Sequence, residues 1–171
     1  MDVLEAIKGR RSVRKFSQKA IPKEIILKIL DAARYAPSAG NLQDWKFIVV
    51  RGREKIKEIA GIALNQKWLE NASFLVIACS DLREISKYGE RGIRLYSKHD
   101  VAASIQNMLL YAWSLGIGSC WVGAFDEEKL EEYLNLPEHL EPQAILAFGY
   151  PAEIPPMPAR KNLAEIVVFA D

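Results

Sequence analysis

Apolar and polar residues alternate along this chain at two different periods, and the periods separate helices from strands. Val3, Leu4 and Ile7 share one face of a short helical pattern over residues 2–9. A second helix begins around Pro22, which suits a first turn because its missing N–H has no partner there. Ile25, Ile26, Ile29, Leu30, Ala33 and Ala36 recur at helical spacing, and Lys23, Glu24, Lys28, Asp31 and Arg34 fall on the opposite face. Pro37 ends that pattern. Residues 53–64 and 127–134 read as further helices, the latter behind Asp126 as N-cap. Residues 98–115 form the most apolar helix, with Val101, Ile105, Met108, Leu109, Ala112 and Leu115 on one face. Leu110, Tyr111 and Trp113 extend its apolar surface nearly all round, as expected of a helix covered on most sides. Gly116 suits its C-terminal cap.

Short continuous apolar runs mark buried strands: 47–50, 74–79, 120–122 and 144–149. Residues 81–96 are charged and irregular, the expected mobile surface. Residues 151–158 hold four prolines in eight positions, so this stretch is extended and stiff. Beyond it, 166–169 (Ile-Val-Val-Phe) reads as a last strand. An apolar strand at the end of a stiff arm must pair, with its own sheet or with a partner's, because an open edge aggregates. Together with the apolar helix, it favours a homodimer.

Length and charge narrow the classes. With 171 residues, one domain over 1–171 is expected. Half the residues are hydrophobic and 26% charged, which is ordinary globular composition. The 23 Lys+Arg and 22 Asp+Glu leave a net charge of +1, without the basic excess of a nucleic-acid binder. No apolar stretch approaches the ~20 residues of a membrane span, and residues 1–20 lack a signal-peptide core, so the cytoplasm is the expected location. Cys79 and Cys120 lie in apolar runs, as buried thiols do, and His99 and His139 stand alone, so no metal site is expected.

Three constellations carry candidate chemistry. Arg10, Ser12 and Arg14 alternate in the cluster Arg10-Arg11-Ser12-Val13-Arg14-Lys15, so an extended backbone points them one way. Guanidinium groups with a hydroxyl make a phosphate grip, and Arg160-Lys161 completes it if the fold joins the termini. The loop Pro37-Ser38-Ala39-Gly40-Asn41-Leu42-Gln43 offers donors and acceptors suited to a planar heterocycle. Gly116 to Ala124 holds glycines that permit close approach to a ligand, but its spacing is not the dinucleotide fingerprint and it precedes a strand. Each alone also reads as a solvated charge run, a helix-ending turn, or a cap with a strand. No GxSxG elbow or GxxxxGK[ST] loop occurs, so any hard chemical step falls to a cofactor.

Taken in order, these stretches resemble the nitroreductase family of flavin-dependent oxidoreductases. Residues 10–16, 36–45, 116–125, Phe148-Gly149-Tyr150-Pro151 and Arg160-Lys161 carry the resemblance over almost the whole chain. It implies an α+β fold: a mixed, mostly antiparallel central sheet sandwiched by helices, in a homodimer with exchanged C-terminal arms. It implies FMN at the dimer interface, reduced by NADH or NADPH in a ping-pong hydride transfer through flavin N5 to a small planar acceptor such as a nitroaromatic, quinone or flavin. Arg10, Arg11, Ser12, Arg14, Arg160 and Lys161 would meet the phosphate and ribityl chain. The neighbouring subunit's loop (Pro37, Ser38, Ala39, Asn41 and Gln43) would face the ribityl or ring region. Asn65 matches a position that bonds the pyrimidine edge. Trp121, Val122, Gly123 and Ala124 would lie along the ring, with the Gly123 N–H at N5 and that of Ala124 at O4. Flavin itself carries the chemistry, so no side chain is expected to be catalytic. The same fold also supports reductive dehalogenation, flavin fragmentation or simple flavin binding. Three departures stand out: a short 81–97 segment, Trp68 where some members carry lysine, and Asp44 where proline is frequent.

Overall fold

A computed structural model describes residues 1–170. Four strands, β1 (Trp45–Val50), β2 (Phe74–Asp81), β3 (Gly118–Val122) and β4 (Leu140–Gly149), form a sheet of order β1-β2-β4-β3. Every neighbouring pair is antiparallel. The one parallel element is an isolated bridge, Ser12 to Ser119, at the β3 edge. The expected mixed sheet is therefore almost wholly antiparallel.

Burial explains why β2 reads as an unbroken apolar run: helices cover both of its faces. Phe74, Val76 and Ala78 pack with Leu146 and Phe148 of β4 against α2 (Lys23–Ala33) and α6 (Ser97–Ser114). The Phe74 and Phe148 rings stack at 4.9 Å. Leu75, Ile77 and Cys79 face the other way, onto Ile56, Ile59 and Ala60 of α3 (Arg53–Ile62) and Leu130 of α7 (Glu127–Leu134). Asp126 caps α7 as its sequence position requires, accepting from the Lys129 N–H at 3.2 Å. Cys79 and Cys120 are buried free thiols.

The N-terminal segment after α1 (Val3–Gly9) is strapped across the sheet edge. Val13 N–H donates to the Ser119 carbonyl at 2.9 Å, Ser17 N–H to Tyr150 at 2.8 Å, and Ala152 N–H to Lys15 at 2.9 Å. Lys15 and Glu153 form an ion pair across the same junction. Two glycines make the strap possible. A Cβ on Gly118 would meet Val13 at 2.9 Å, and one on Gly149 would meet the Phe16 ring at 2.7 Å. The room that Gly118 leaves is thus filled by the chain itself, not by a ligand.

Two expectations are corrected. Residues 81–96 are not irregular: they run through α4 (Leu82–Ile85), a 3-10 turn at Ser86–Tyr88, α5 (Gly89–Arg91) and a π-helical turn at Gly92–Tyr96 that leads into α6. Ile85 and Gly92 are buried, and Gly92 sits so close to the Ile85 carbonyl that any Cβ there would strike it. These anchors outweigh the surface charges. Residues 166–169 form no strand; a 3-10 turn at Leu163–Glu165 precedes them. The physical reason is that a strand exists only through its neighbour, and among the described residues no strand pairs with them. Val168 is 92% and Phe169 85% exposed.

Candidate functional site

The two chain ends meet in a groove. Arg10, Arg11, Ser12 and Arg14 line one side, and Pro155, Pro156, Met157, Pro158 and Arg160 the other, around about 450 Å³. The strap brings the first set to β3, and the proline-rich arm carries the second back across it. Positive charge is concentrated here without a neutralising partner: among the described residues no carboxylate forms an ion pair with Arg10, Arg14 or Arg160. Burial, then the nearby Arg160 and Arg11 charges, pull the Arg10 guanidinium below its ordinary range. Such crowding is relieved by an anion.

β3 forms the floor. Burial pushes the Cys120 thiol up, although Arg14, Ser12 and Arg10 lie close enough to oppose the shift. The Ser119 hydroxyl is buried with no partner, beside the Ser12 bridge. Arg11 behaves differently from its neighbours: one terminal nitrogen of its guanidinium donates to the carbonyls of Lys8, Gly9 and Arg10 at 2.7, 2.8 and 2.9 Å. It caps α1 and stiffens the groove wall. Arg14 lies 5.8 Å above the Trp68 ring, and Trp68 meets Phe16 with ring centroids 6.5 Å apart. Trp68 thus braces a cation where the sequence offers no lysine. Lys161 is exposed and outside the groove lining.

Past β3 the chain opens. Val122 is buried, whereas Trp121, Gly123 and Ala124 are exposed. Nothing lies within 4 Å of a Cβ on Gly123, so a flat ligand has room there. Gln66, a residue the sequence reading passed over, donates from Nε2 to the Ala124 carbonyl at 3.1 Å and fixes this rim. Its neighbour Asn65, with φ of 58°, instead lines a separate depression with Glu58, Asp126 and Lys129.

The Pro37–Gln43 loop is built but elsewhere. Gly40, Asn41 and Gln43 all take left-handed φ, near 56°, 55° and 53°, which winds the chain tightly. The Gln43 N–H donates to Ser38 Oγ at 2.9 Å, leaving the Ser38 hydroxyl proton free to donate outward. The Ala39 N–H donates to Asp100 Oδ2 at 2.8 Å. Gly40 leaves room for the Tyr88 hydroxyl, which any Cβ there would strike. This anchors the loop near the start of α6, while the groove lies near its far end, where Gly9 packs on Trp113. From Asp100 to Trp113 is about 20 Å along the axis at ~1.5 Å per residue. A single chain therefore does not bring Ser38 and Asn41 to the arginine groove.

The family model of the nitroreductase family matches residues 7–81 and 60–150, which hold the strap, the loop and all four strands. The chain belongs to the nitroreductase family. Among its relatives is a Methanothermobacter thermautotrophicus protein provisionally named NADH dehydrogenase/NAD(P)H nitroreductase, 40% identical over 161 residues, covering 91% of this chain and 80% of the relative. The FMN reductase (NADPH) of Bacillus subtilis is 30% identical over 167 residues, 90% of this chain and 67% of the relative. The NADPH:FMN oxidoreductase from Vibrio harveyi, solved in complex with NAD⁺, superposes with a TM-score of 0.91 at 27% identity, over 99% of this chain and 77% of that one. The expected α+β fold, a mostly antiparallel sheet sandwiched by helices, is therefore the observed one. Among the described residues no helix is long and apolar enough to cross a membrane, and no group of acidic, His or Cys side chains is suited to a metal.

Proposed function

We propose that this chain is an FMN-dependent oxidoreductase that takes hydride from NADH or NADPH and delivers it to a small planar acceptor, a nitroaromatic, quinone or flavin. The observation that carries the reading is the convergence of Arg10, Ser12, Arg14 and Arg160 on one groove, where among the described residues no carboxylate is paired with Arg10, Arg14 or Arg160. The residues present fit the cofactor: guanidinium groups and the Ser12 hydroxyl in the groove suit a phosphate and a polyol chain, and the open space at Gly123 suits a flat ring. When bound, FMN supplies the hydride relay that no side chain of this protein provides.

Arg10 and Arg160 hold the phosphate from opposite ends of the chain, so cofactor binding is coupled to the position of the C-terminal arm. Ser12 and Arg14 orient the ribityl chain. Gln66 holds the Ala124 carbonyl and so restrains the end of the Gly123–Ala124 segment, whose backbone N–H groups would serve the ring edge. Fixed N–H groups there favour negative charge on the ring without reorganising. The open space at Gly123 would admit the nicotinamide and then the acceptor in turn, a ping-pong sequence.

The working unit in this reading is a homodimer. The arm ends in exposed Leu163, Ile166, Val168 and Phe169, and α1 and α6 border an apolar groove of about 380 Å³ that includes Val3, Ala6, Leu110 and Tyr111. Covering both with a second copy removes this surface from water. A twofold partner also brings its own Ser38 and Asn41 to this chain's groove, across the distance that a single chain leaves open.

The test is the visible spectrum of the purified protein, followed by anaerobic addition of NADH or NADPH. Flavin bands that bleach, and return when a quinone or nitroaromatic is added, are the expected result. Absence of flavin bands after incubation with FMN overturns the proposal.

A further inference from the structure

Asp44 follows the Ser38–Gln43 loop directly and is one of two buried acids beneath it. Asp44 is 3% and Asp100 7% exposed. The chain on both sides of Asp44 is tied to α6 around Asp100: the Ala39 N–H reaches Asp100 Oδ2, and Ser80, which pairs with Trp45, donates from Oγ to the Ser97 carbonyl one turn before Asp100 at 3.4 Å, so the Asp44 carboxyl comes beside that of Asp100. Yet neither Asp44 oxygen has a donor, because two ionised carboxylates are both acceptors. Asp100 Oδ2 already accepts the Ala39 N–H at 2.8 Å, and the Asp44 carbonyl accepts the Asp81 N–H at 2.8 Å. The acids thus bridge the loop, the β2 end and α6.

The charged groups around them are committed elsewhere. Asp81 is paired with Arg83, with His139 near it. Lys98 of α6 lies 3.6 Å from Glu141 of β4. Tyr88 covers Gly40 from outside. Among the described residues no cation is paired with Asp44 or Asp100. A proton between them turns an acceptor pair into a donor and an acceptor, and removes one buried charge.

We propose that Asp44 carries a proton that it donates to Asp100, and that this proton clamps the Ser38–Gln43 loop onto α6 in the shape that presents Ser38 and Asn41 to the flavin. The last clause rests on the function proposed above; the proton on Asp44 does not. Asp44 is a positioning residue here, acting through the loop. Burial, and then the bond to Asp100, push its carboxyl up to about 7. With the native value above the ordinary one of 3.8, the docked loop keeps a proton that a released loop has lost. Docking is thus strongest below about pH 4, weakens by up to tenfold per pH unit to about pH 7, and is level above that.

The test follows the Ala39 amide by ¹⁵N NMR on the full chain, before and after adding FMN, from about pH 5 to about pH 8.5. The wild-type amide should shift with a midpoint near neutrality, and Asp44→Asn, which keeps a neutral partner for Asp100, should abolish that step. A flat wild-type profile, or a step that persists in the variant, overturns the proton on Asp44. If the variant does not fold, infrared spectra of the wild type decide: the carbonyl stretch of a protonated carboxylic acid should be present near pH 6 and gone by about pH 8.5, and its absence at both overturns the proposal. The ratio of FMN affinity between the wild type and Asp44→Asn should fall between about pH 5 and pH 7, the second ionisation of the FMN phosphate at about pH 6 acting on both proteins alike; equal pH dependence in both overturns the link to the flavin. A protein that binds no FMN at any pH overturns the flavin reading and that link together, while the amide titration still decides the proton.

Discussion

Removing Arg10 and Arg160 together is the sharpest test of the groove. Each guanidinium, one from the strap after α1 and one from the arm, lines the groove and has no paired carboxylate among the described residues. A hydrogen bond to a charged group contributes about 1.5–3 kcal/mol. Two such losses sum to about 3–6 kcal/mol, or roughly a hundredfold to ten-thousandfold in FMN affinity at ~1.4 kcal/mol per factor of ten. Arg10→Ala with Arg160→Ala should therefore bind FMN at least a hundredfold more weakly when flavin fluorescence is titrated with protein. Riboflavin, which has the same ring without the phosphate, is the decisive control and should bind both proteins within about twofold. The free variant should also unfold no more readily than wild type, since burial and the Arg160 charge both disfavour the charged Arg10. Equal losses for FMN and riboflavin would refute the phosphate assignment, because the damage would then lie in the ring site or the fold. Unchanged FMN affinity would refute the groove as the site.

Gly123→Val should fill the open space beside the ring edge and abolish FMN binding with the urea midpoint unchanged, since nothing in the protein lies within 4 Å of the new Cβ. Gly149→Ala should do the reverse, forcing Phe16 off the sheet and costing about 1–3 kcal/mol in chemical denaturation. Ending the chain after Ala159 removes Arg160 and the exposed apolar tail; sedimentation should show weaker self-association, and gel filtration should show flavin loss. A flavin-loaded dimer surviving that truncation would exclude arm exchange. Gln66→Leu should free the Ala124 carbonyl and weaken riboflavin and FMN alike, by about 1 kcal/mol in equilibrium titration.

Much of this protein was legible in its sequence because helices and strands buried against a sheet advertise themselves by period. The β2 run from Phe74 reads as a doubly covered strand because only such a strand can be apolar at every position, and the structure buries it on both faces. The alternation of Arg10, Ser12 and Arg14 identified a candidate grip before any coordinates, because an extended backbone leaves side chains at every second position together. What sequence could not supply was the meeting of distant segments. That Arg160 faces Arg10, that Arg11 turns back to cap α1, that Gly118 makes room for Val13, and that Gln66 holds the Ala124 rim while Asn65 does not are all results of which backbone passes which. The Asp44–Asp100 pair is the clearest case. Fifty-six positions apart and each an ordinary surface residue by composition, the two acids become one buried unit only when the loop docks on α6. Local periodicity is fixed by backbone geometry, which every residue carries with it. Proximity across the sheet, and the burial that changes a group's charge, belong to the packed chain alone.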